Sequence, residues 1–236
     1  MGNQHQLADC EHCARRFKNV ICNSRFDTLS TINKEKECTS YKKGELIFKE
    51  GARAYGMFCV NSGKIKLVKS GDDGREHIVR LVKTGDPLGY RAVLSGDRYS
   101  SSAVALEDSN VCFVPKEVFL GVIEKDNSLT MEMIKLLSND LKQAEVNLTH
   151  LAQKPVRERM AEALLFIKET YGFEEDGITI NAVFSRDDLA NIVGTATETA
   201  IRLLSDLNKE KIINLVNKKI QIINYERLMK VANIYD

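Results

Sequence analysis

Short apolar runs separated by glycines dominate the chain from about residue 41 to residue 115. Leu46-Ile47-Phe48, Met57-Phe58-Cys59-Val60 and Ile65-Lys66-Leu67-Val68 are rich in residues that favour strands. Gly71-Asp72-Asp73-Gly74 is a turn signal between two such runs. Because several short strands at regular spacing are typical of a sandwich or jelly roll, we predict a β-domain here.

A helical period replaces this pattern between residues 127 and 152. Apolar side chains recur there at alternating steps of three and four residues, which is the a/d seam of a coiled coil. The seam consists of Ile134, Leu137, Leu141, Ala144, Leu148 and Leu151. Asp126-Asn127-Ser128 supplies a cap at the start of the helix. So narrow a stripe predicts a partner helix in a dimer; an ordinary helix facing its own core is the alternative.

The last segment, residues 153–236, is predicted to be helical and then to form a strand pair. Pro155 stands at the first turn of a new helix. Two β-rich stretches follow at residues 212–215 and 220–223, and residues 217–219 form the tip between them. We interpret this order as helices followed by a β-hairpin.

A helix-turn-helix is predicted between residues 185 and 204. Ser185 and Asp188 make a start resembling a capping box, Gly194 supplies the turn, and Thr195 is placed to cap the second helix. Apolar side chains that anchor the two helices are Leu189, Ile192, Val193, Leu203, Leu204 and Leu207.

The second of these helices is predicted to expose Thr197, Glu198, Ile201 and Arg202 on one face. In a helix-turn-helix that face enters the major groove, where Arg pairs with guanine and Glu accepts from cytosine. Two blander interpretations stay open. Glu198 completes a capping box with Thr195, or it forms a helix-surface pair with Arg202 worth about 0.2–0.5 kcal/mol. The full predicted DNA-contacting set is Ser185, Arg186, Thr197, Glu198, Ile201, Arg202, Lys218 and Lys219.

Composition changes this picture only slightly. The 236 residues, 43% of them hydrophobic, suffice for two modest domains, and the net charge of +1 means that DNA contact must come from a local surface. No apolar run reaches the roughly 18 residues of a membrane span, and the polar N-terminus lacks a signal-peptide core, so we expect a cytoplasmic protein. We predict no enzymatic activity, because no catalytic motif surrounds any histidine: His5, His12, His77 and His150.

From about Tyr41 onward the chain resembles the CRP/FNR family, which comprises the cyclic-AMP receptor protein and the fumarate-nitrate reduction regulator. The stretches that carry the resemblance are residues 41–51, 62–65, 192–199 and 202–204. The resemblance implies an α+β fold, in which an N-terminal β-roll is joined by a long dimerisation helix to a C-terminal winged helix-turn-helix. The expected segments are a cysteine-containing arm at 1–40, the β-roll at 41–126, the dimer helix at 127–152 and the DNA-binding domain at 153–236.

The resemblance further implies a homodimer that binds double-stranded DNA at a two-fold symmetric operator and contacts RNA polymerase. The family's recognition helix carries a Glu and an Arg four residues apart, which match Glu198 and Arg202. Thr197 and Ile201 depart from the two branches of the family, so we do not carry over their target sequences. An effector module that acts through protein contacts, with a degenerate DNA domain, is the alternative.

The effector pocket also departs from the family pattern. Matching the two motifs puts Tyr90 where cyclic-AMP binders hold the ribose with a Glu, and Tyr99 where they hold the phosphate with an Arg. A buried phosphate needs a cation or several donors, so we expect that cyclic AMP is not the effector. The predicted pocket residues are Gly89, Tyr90, Arg91, Tyr99 and Ser100.

The six cysteines are expected to be reduced in a cytoplasmic protein and to act as metal ligands, redox sensors or core residues. Cys10, Cys13, Cys22 and Cys112 resemble the four ligands of the FNR-type [4Fe–4S] cluster, although eight residues rather than five separate the second and third. Zinc held with His5 or His12, a thiol redox switch, and a Cys112 that merely fills the core stay open. Cys59 is expected in the core.

Overall fold

The computed structural model describes residues 10, 20–21, 24–72 and 74–234. The chain divides into two compact units, the first formed by residues 1–69 and 82–141 and the second by residues 70–81 and 142–236. Cys13, Cys22, His5 and His12 lie outside the described residues.

The described residues form a β-rich part followed by a helical part. The helices are α1 Phe26–Glu35, α2 Tyr90–Ser95, α3 Lys116–Lys125, α4 Asn127–Gln153, α5 Val156–Tyr171, α6 Arg186–Val193, α7 Thr197–Lys209 and α8 Tyr225–Val231. The strands are β1 Glu37–Tyr41, β2 Leu46–Phe48, β3 Gly56–Ser62, β4 Lys64–Ser70, β5 Glu76–Lys83, β6 Pro87–Leu88, β7 Ser102–Ala105, β8 Ser109–Pro115, β9 Ile213–Val216 and β10 Lys219–Ile222.

Two four-stranded sheets build the β-roll, in the orders β1-β8-β3-β6 and β2-β7-β4-β5. Strand β8 lies between β1 and β3 and runs antiparallel to both. Aromatic rings from both sheets meet inside the roll: the Phe48 ring lies 5.3 Å from that of Phe58 and 4.2 Å from that of Tyr99. The predicted β-roll followed by a long helix and a helix-turn-helix is confirmed.

The long helix α4 starts at the predicted cap. The Asp126 carboxylate accepts the backbone N–H groups of Ser128 and Leu129 at 3.1 and 3.2 Å, and it accepts the Thr28 hydroxyl of α1 at 2.8 Å. Burial pulls the pKa of Asp126 upward, but these bonds and the Arg25 N–H outweigh it and lower the pKa below 3.8. One buried carboxylate therefore begins α4 and holds α1 against it.

Most residues of the apolar seam of α4 are exposed to solvent. Ile134 is 50% exposed, Leu141 62% and Leu148 69%, whereas Leu129 and Met133 of the same helix are buried. Leu151 and Ala144 are exposed as well, and Leu137 is half-buried. The buried residues of α4 therefore lie on a different stripe of the helix from the predicted seam.

The second unit contains the two short helices α6 and α7 and the hairpin β9–β10. The hairpin turn is Asn217-Lys218, with Asn217 in the left-handed region at φ 55°. The predicted tip was one residue too long, because Lys219 already pairs with Val216 as the first residue of β10. In the described part of the chain, no helix is long and apolar enough to cross a membrane.

Candidate nucleic-acid interface

A complete capping box starts α6. The Ser185 hydroxyl accepts the Asp188 N–H at 2.9 Å, and the Asp188 carboxylate accepts the Ser185 N–H at 2.9 Å. At the other end of α6, Gly194 has φ +69°, which a side chain would strain, and a Cβ there would stand 3.1 Å from Leu151. The predicted cap and turn glycine of the helix-turn-helix are confirmed.

An arginine that the sequence did not mark holds the turn in place. The Arg159 side chain on α5 donates to the carbonyl oxygen of Val193 at 3.0 Å and, at 3.5 Å, to that of Gly194. It also donates to the Lys154 carbonyl at 2.7 Å. Because Arg159 lies far from the turn in sequence, no local pattern indicated this positioning role.

The predicted cap of α7 was wrong. The helix begins after Ala196, which makes no side-chain cap bond, so Thr195 is not the N-cap and forms no capping box with Glu198. Thr197 instead donates its hydroxyl to the Asp187 carboxylate at 2.7 Å. This bond joins the start of α7 to α6, so the Thr197 hydroxyl has an internal partner.

Helix α7 is anchored on one side and exposed on the other. Its buried residues are Ala200, Leu203, Leu204 and Leu207. Glu198, Ile201 and Arg202 are exposed. Among the described residues, neither Glu198 nor Arg202 forms an ion pair within 4.0 Å, so the helix-surface pair is not made. An acceptor, a donor fork and an apolar side chain thus stand together on an anchored helix.

The basic side chains of the predicted DNA-contacting set differ in the partners that they have within the protein. Lys219 forms an ion pair with Glu174 at 2.7 Å, whereas Lys218 is exposed at the hairpin turn. Arg186, the first residue of α6, has a buried Nη1 without a hydrogen-bond partner among the described residues. A buried guanidinium N–H without an acceptor is an exception to the usual pairing of buried polar groups.

Three of the predicted effector-pocket residues, Gly89, Tyr90 and Tyr99, pack against other parts of the protein. The Tyr90 hydroxyl donates to the Asp140 carboxylate on α4. The Tyr99 hydroxyl donates to the Gly56 carbonyl at 2.7 Å, and burial raises the pKa of this phenol above 10. A Cβ at Gly89 would stand 2.8 Å from the Tyr99 ring, so glycine is needed for this close packing.

No cation stands at the two matched positions. Arg91 and Ser100 are exposed, and Arg98 donates to the Gly51 carbonyl at 2.9 Å. Phe58, which stacks on Phe48 of the other sheet, also packs on Phe113 at 5.1 Å between ring centres. The side chains at the two matched positions thus contact other parts of the roll.

The cysteines are arranged differently from the prediction. Cys112 is joined to Cys38 in a disulfide, so the expectation that the cysteines are reduced was wrong for these two. Cys10 is buried and its sulfur accepts from the Lys36 ammonium at 2.9 Å. Across the described residues, no group of three or more His, Cys, Asp or Glu side chains is placed to hold a metal ion.

The predicted cluster ligands do not fit a [4Fe–4S] group in this arrangement. Such a cluster requires four thiolates, and the Cys112 sulfur is bonded to Cys38. Of the other three, only Cys10 lies among the described residues. The ligand set Cys10, Cys13, Cys22 and Cys112 stays a prediction that needs Cys112 reduced.

Two family models match the chain. Residues 38–126 match the cyclic nucleotide-binding domain, and residues 158–231 match the Crp-like helix-turn-helix domain. The fumarate and nitrate reduction regulatory protein of Vibrio cholerae is 31% identical over 229 residues, which cover 96% of this chain and 90% of the relative.

A more distant relative and a solved structure agree with these matches. The anaerobic regulatory protein of Bacillus subtilis is 27% identical and covers 83% of this chain and 82% of its own length. The structure of FixK2 from Bradyrhizobium japonicum superposes with a TM-score of 0.76 at 25% identity, over 85% of this chain and 99% of that one.

Proposed function

Since the chain belongs to the CRP/FNR family of transcription regulators, which are not enzymes, we propose that it binds a two-fold symmetric operator as a homodimer. The observation that carries this proposal is the exposed face of α7, where Glu198 and Arg202 make no ion pair with each other. Exposed polar side chains that form no ion pair, on a helix anchored by its apolar side, are available to hydrogen-bond base edges. Contact with RNA polymerase is part of the same proposal and rests on the family alone.

Base discrimination comes from Arg202 and Glu198 in this proposal. Arg202 donates two hydrogen bonds to guanine, and Glu198 accepts from cytosine, each worth about 1–3 kcal/mol against the wrong base. Ile201, between them, contacts a thymine methyl group. Because Thr197 is bonded to Asp187, it orients the helix rather than reading a base.

Phosphate contacts then set the position of the domain on the duplex. The proposed contacts are Arg186, the first residue of α6, and Lys218, which is exposed at the hairpin turn. Lys219 contributes less, because Glu174 already neutralises it. The Ser185 hydroxyl accepts the Asp188 N–H and donates to the Asp188 carboxylate at 2.8 Å, so a phosphate contact from Ser185 requires the second of these bonds to break.

The exposed seam of α4 supports the homodimer. Ile134, Leu141 and Leu148 are at least half exposed along one stripe of a 27-residue helix. Exposed apolar residues at a/d spacing are stabilised by the same stripe of a second copy. A symmetric dimer of this kind presents two recognition helices to the two halves of one operator.

The signal is proposed to act through the N-terminal β-roll, and we propose that it is not cyclic AMP. Tyr99 supplies no charge for a phosphate, and its ring occupies the interior beside Phe48. Calorimetric titration with cyclic AMP is expected to show no micromolar binding. Iron analysis and the absorbance near 400 nm of protein purified without air test the cluster prediction separately; about four irons per chain would support it.

Selection from a pool of random duplexes tests the DNA proposal. Wild-type protein is expected to enrich an inverted repeat, with an affinity that falls steeply between 50 and 200 mM salt because phosphate contacts release counterions. Leu148→Glu is expected to sediment as a monomer and to lose about 30-fold or more in operator affinity, since interface anchors contribute about 2 kcal/mol.

Gln143→Glu is the matched control, because it adds the same charge to the opposite side of α4. It should stay dimeric and bind like the wild type. No enriched sequence, together with no salt-dependent binding, would reject the proposal and favour a module that acts through protein contacts. A symmetric site bound equally well by the Leu148→Glu monomer would remove the role of the seam.

A further inference from the structure

Three cysteines stand at one level of the sheet β1-β8-β3. Cys112 on β8 lies directly opposite Cys38 on β1 and directly opposite Cys59 on β3. Residues opposite each other in antiparallel strands point to the same face, with Cβ atoms about 4.5–5.5 Å apart. Cys38, Cys112 and Cys59 therefore form a line, called here the cysteine row, with Cys112 in the middle.

The cysteine row lies on the outer face of the roll. Of the neighbouring pair, Phe58 stacks on Phe48 of the other sheet, and Phe113 packs on Phe58. Since successive side chains of a strand point to opposite faces, Cys59 and Cys112 point away from that aromatic core. Cys112 is buried, whereas Cys38 and Cys59 on either side are half-buried.

Only one of the two neighbouring pairs is oxidised in this structure. Cys112 is bonded to Cys38, and Cys59 is not part of a disulfide. Thiolates attack disulfides along the S–S direction, so the nucleophile and the leaving sulfur stand on opposite sides of the sulfur that is attacked. The order of the cysteine row supplies this arrangement from strand pairing alone.

We propose that the cysteine row is a thiol–disulfide exchange site in which Cys112 alternates between two partners. The Cys59 thiol loses its proton to solvent, and its thiolate attacks the Cys112 sulfur. The Cys59–Cys112 bond forms, the Cys38–Cys112 bond breaks, and Cys38 leaves as a thiolate that takes up a proton. One disulfide and one thiol are present before and after, so no oxidant or reductant is consumed.

The two bonds tie different strands to β8. The first holds β1, the edge strand of its sheet, which follows α1 after Lys36. The second holds β3 and leaves β1 bound by hydrogen bonds alone. Because Thr28 of α1 contacts Asp126 at the start of α4, exchange changes the covalent anchoring of the segment that touches that helix.

Peptide mapping of the full-length protein tests the proposal without reference to DNA binding. Cys10, Cys13 and Cys22 are first changed to Ser, so that only the cysteine row can react. The oxidised protein is incubated at about pH 8.5, near the pKa of an ordinary thiol, or at about pH 5, where exchange is slow. Acid quenching, alkylation and tryptic digestion follow; the three cysteines fall in separate peptides.

We expect both the Cys38–Cys112 and the Cys59–Cys112 linked peptides at the higher pH, with Cys38 alkylated in proportion to the second. At the lower pH the starting distribution should persist. In Cys38→Ser, oxidised glutathione should form the Cys59–Cys112 bond and remove both remaining thiols from alkylation. Cys59→Ser is the matched control and should form only the Cys38–Cys112 bond.

The parent is the protein in which Cys10, Cys13 and Cys22 are Ser. The proposal is overturned if the Cys59 thiol stays fully alkylated in both the parent and its Cys38→Ser variant while circular dichroism shows that both proteins are folded. A Cys38→Ser protein that does not fold leaves the parent experiment decisive, because that experiment needs no further substitution in the cysteine row.

Discussion

The tyrosine side chains at the predicted sites of the β-roll have hydrogen-bond partners within the protein, whereas the polar side chains on the exposed face of helix α7 have none among the described residues. In the roll, Tyr90 and Tyr99 stand where the resemblance predicted ligand contacts, and both hydroxyls donate to groups of the protein itself. On α7, Glu198 and Arg202 are exposed and make no ion pair with each other. Hydrogen-bonding groups that already have internal partners stabilise a fold, whereas groups that water alone satisfies are available to a partner.

This contrast separates two kinds of substitution. Changes in the roll should lower the free energy of unfolding and leave base preference intact. Changes on the exposed face of α7 should alter base preference and leave stability intact. Each of the following variants tests one side of that division.

Tyr99→Ala is expected to have the largest effect. It removes a buried ring stacked on Phe48 and the hydrogen bond to Gly56, and loss of a buried aromatic side chain costs about 3–5 kcal/mol. Urea unfolding measures the loss. Tyr55→Ala, at a position 67% exposed, is the control and should cost less than about 1 kcal/mol. Equal losses in the two variants would mean that the roll is not packed around Tyr99.

Arg202→Ala should change base preference rather than stability. It is expected to lose about 1–3 kcal/mol of discrimination at one base pair of each half-site. Its free energy of unfolding should stay within about 0.5 kcal/mol of the wild type, because the side chain is exposed. Lys230→Ala, which removes one exposed positive charge from α8, controls for charge. An unchanged selected sequence for Arg202→Ala would contradict the recognition role.

Asp126→Ala should lower the free energy of unfolding by about 0.5–2 kcal/mol at pH 7, the usual cost of losing a helix cap. Asp126→Asn, which keeps an acceptor but does not titrate, should lose less. Since the pKa of Asp126 is lowered on folding, its contribution is complete above about pH 4 and is lost as the pH falls through the folded-state pKa. The differences from the wild type should therefore shrink in acid; differences that are constant down to pH 2 would contradict the assigned pKa shift.

Tyr90→Phe is expected to have the smallest effect, about 1 kcal/mol, because it removes one hydrogen bond to the half-buried Asp140 carboxylate. A double-mutant cycle with Asp140→Asn measures the coupling between the two side chains. Additive effects on unfolding would show that this contact between the roll and α4 contributes nothing to stability.

Local patterns were sufficient where one element decides its own structure. The capping box of Ser185 and Asp188, the left-handed Gly194 and the cap at Asp126 all depend on residues a few positions apart. The cap of α7 was misplaced by one residue: Ala196 precedes the helix, and the hydroxyl of Thr197 donates to Asp187 on another helix. Nothing in the spacing of residues indicates the bond between Thr197 and Asp187.

The sequence by itself determined the order of the elements, the helix-turn-helix and the family, because periodicity, caps and turn residues act over short distances. Only the tertiary structure decided which side chains have partners within the protein. It brought Arg159 to the turn at Gly194, Tyr90 to Asp140, and Cys38 and Cys59 to the two sides of Cys112. These partners are tens of residues apart in the chain, and strand pairing and helix packing, rather than local sequence, set the distances between them.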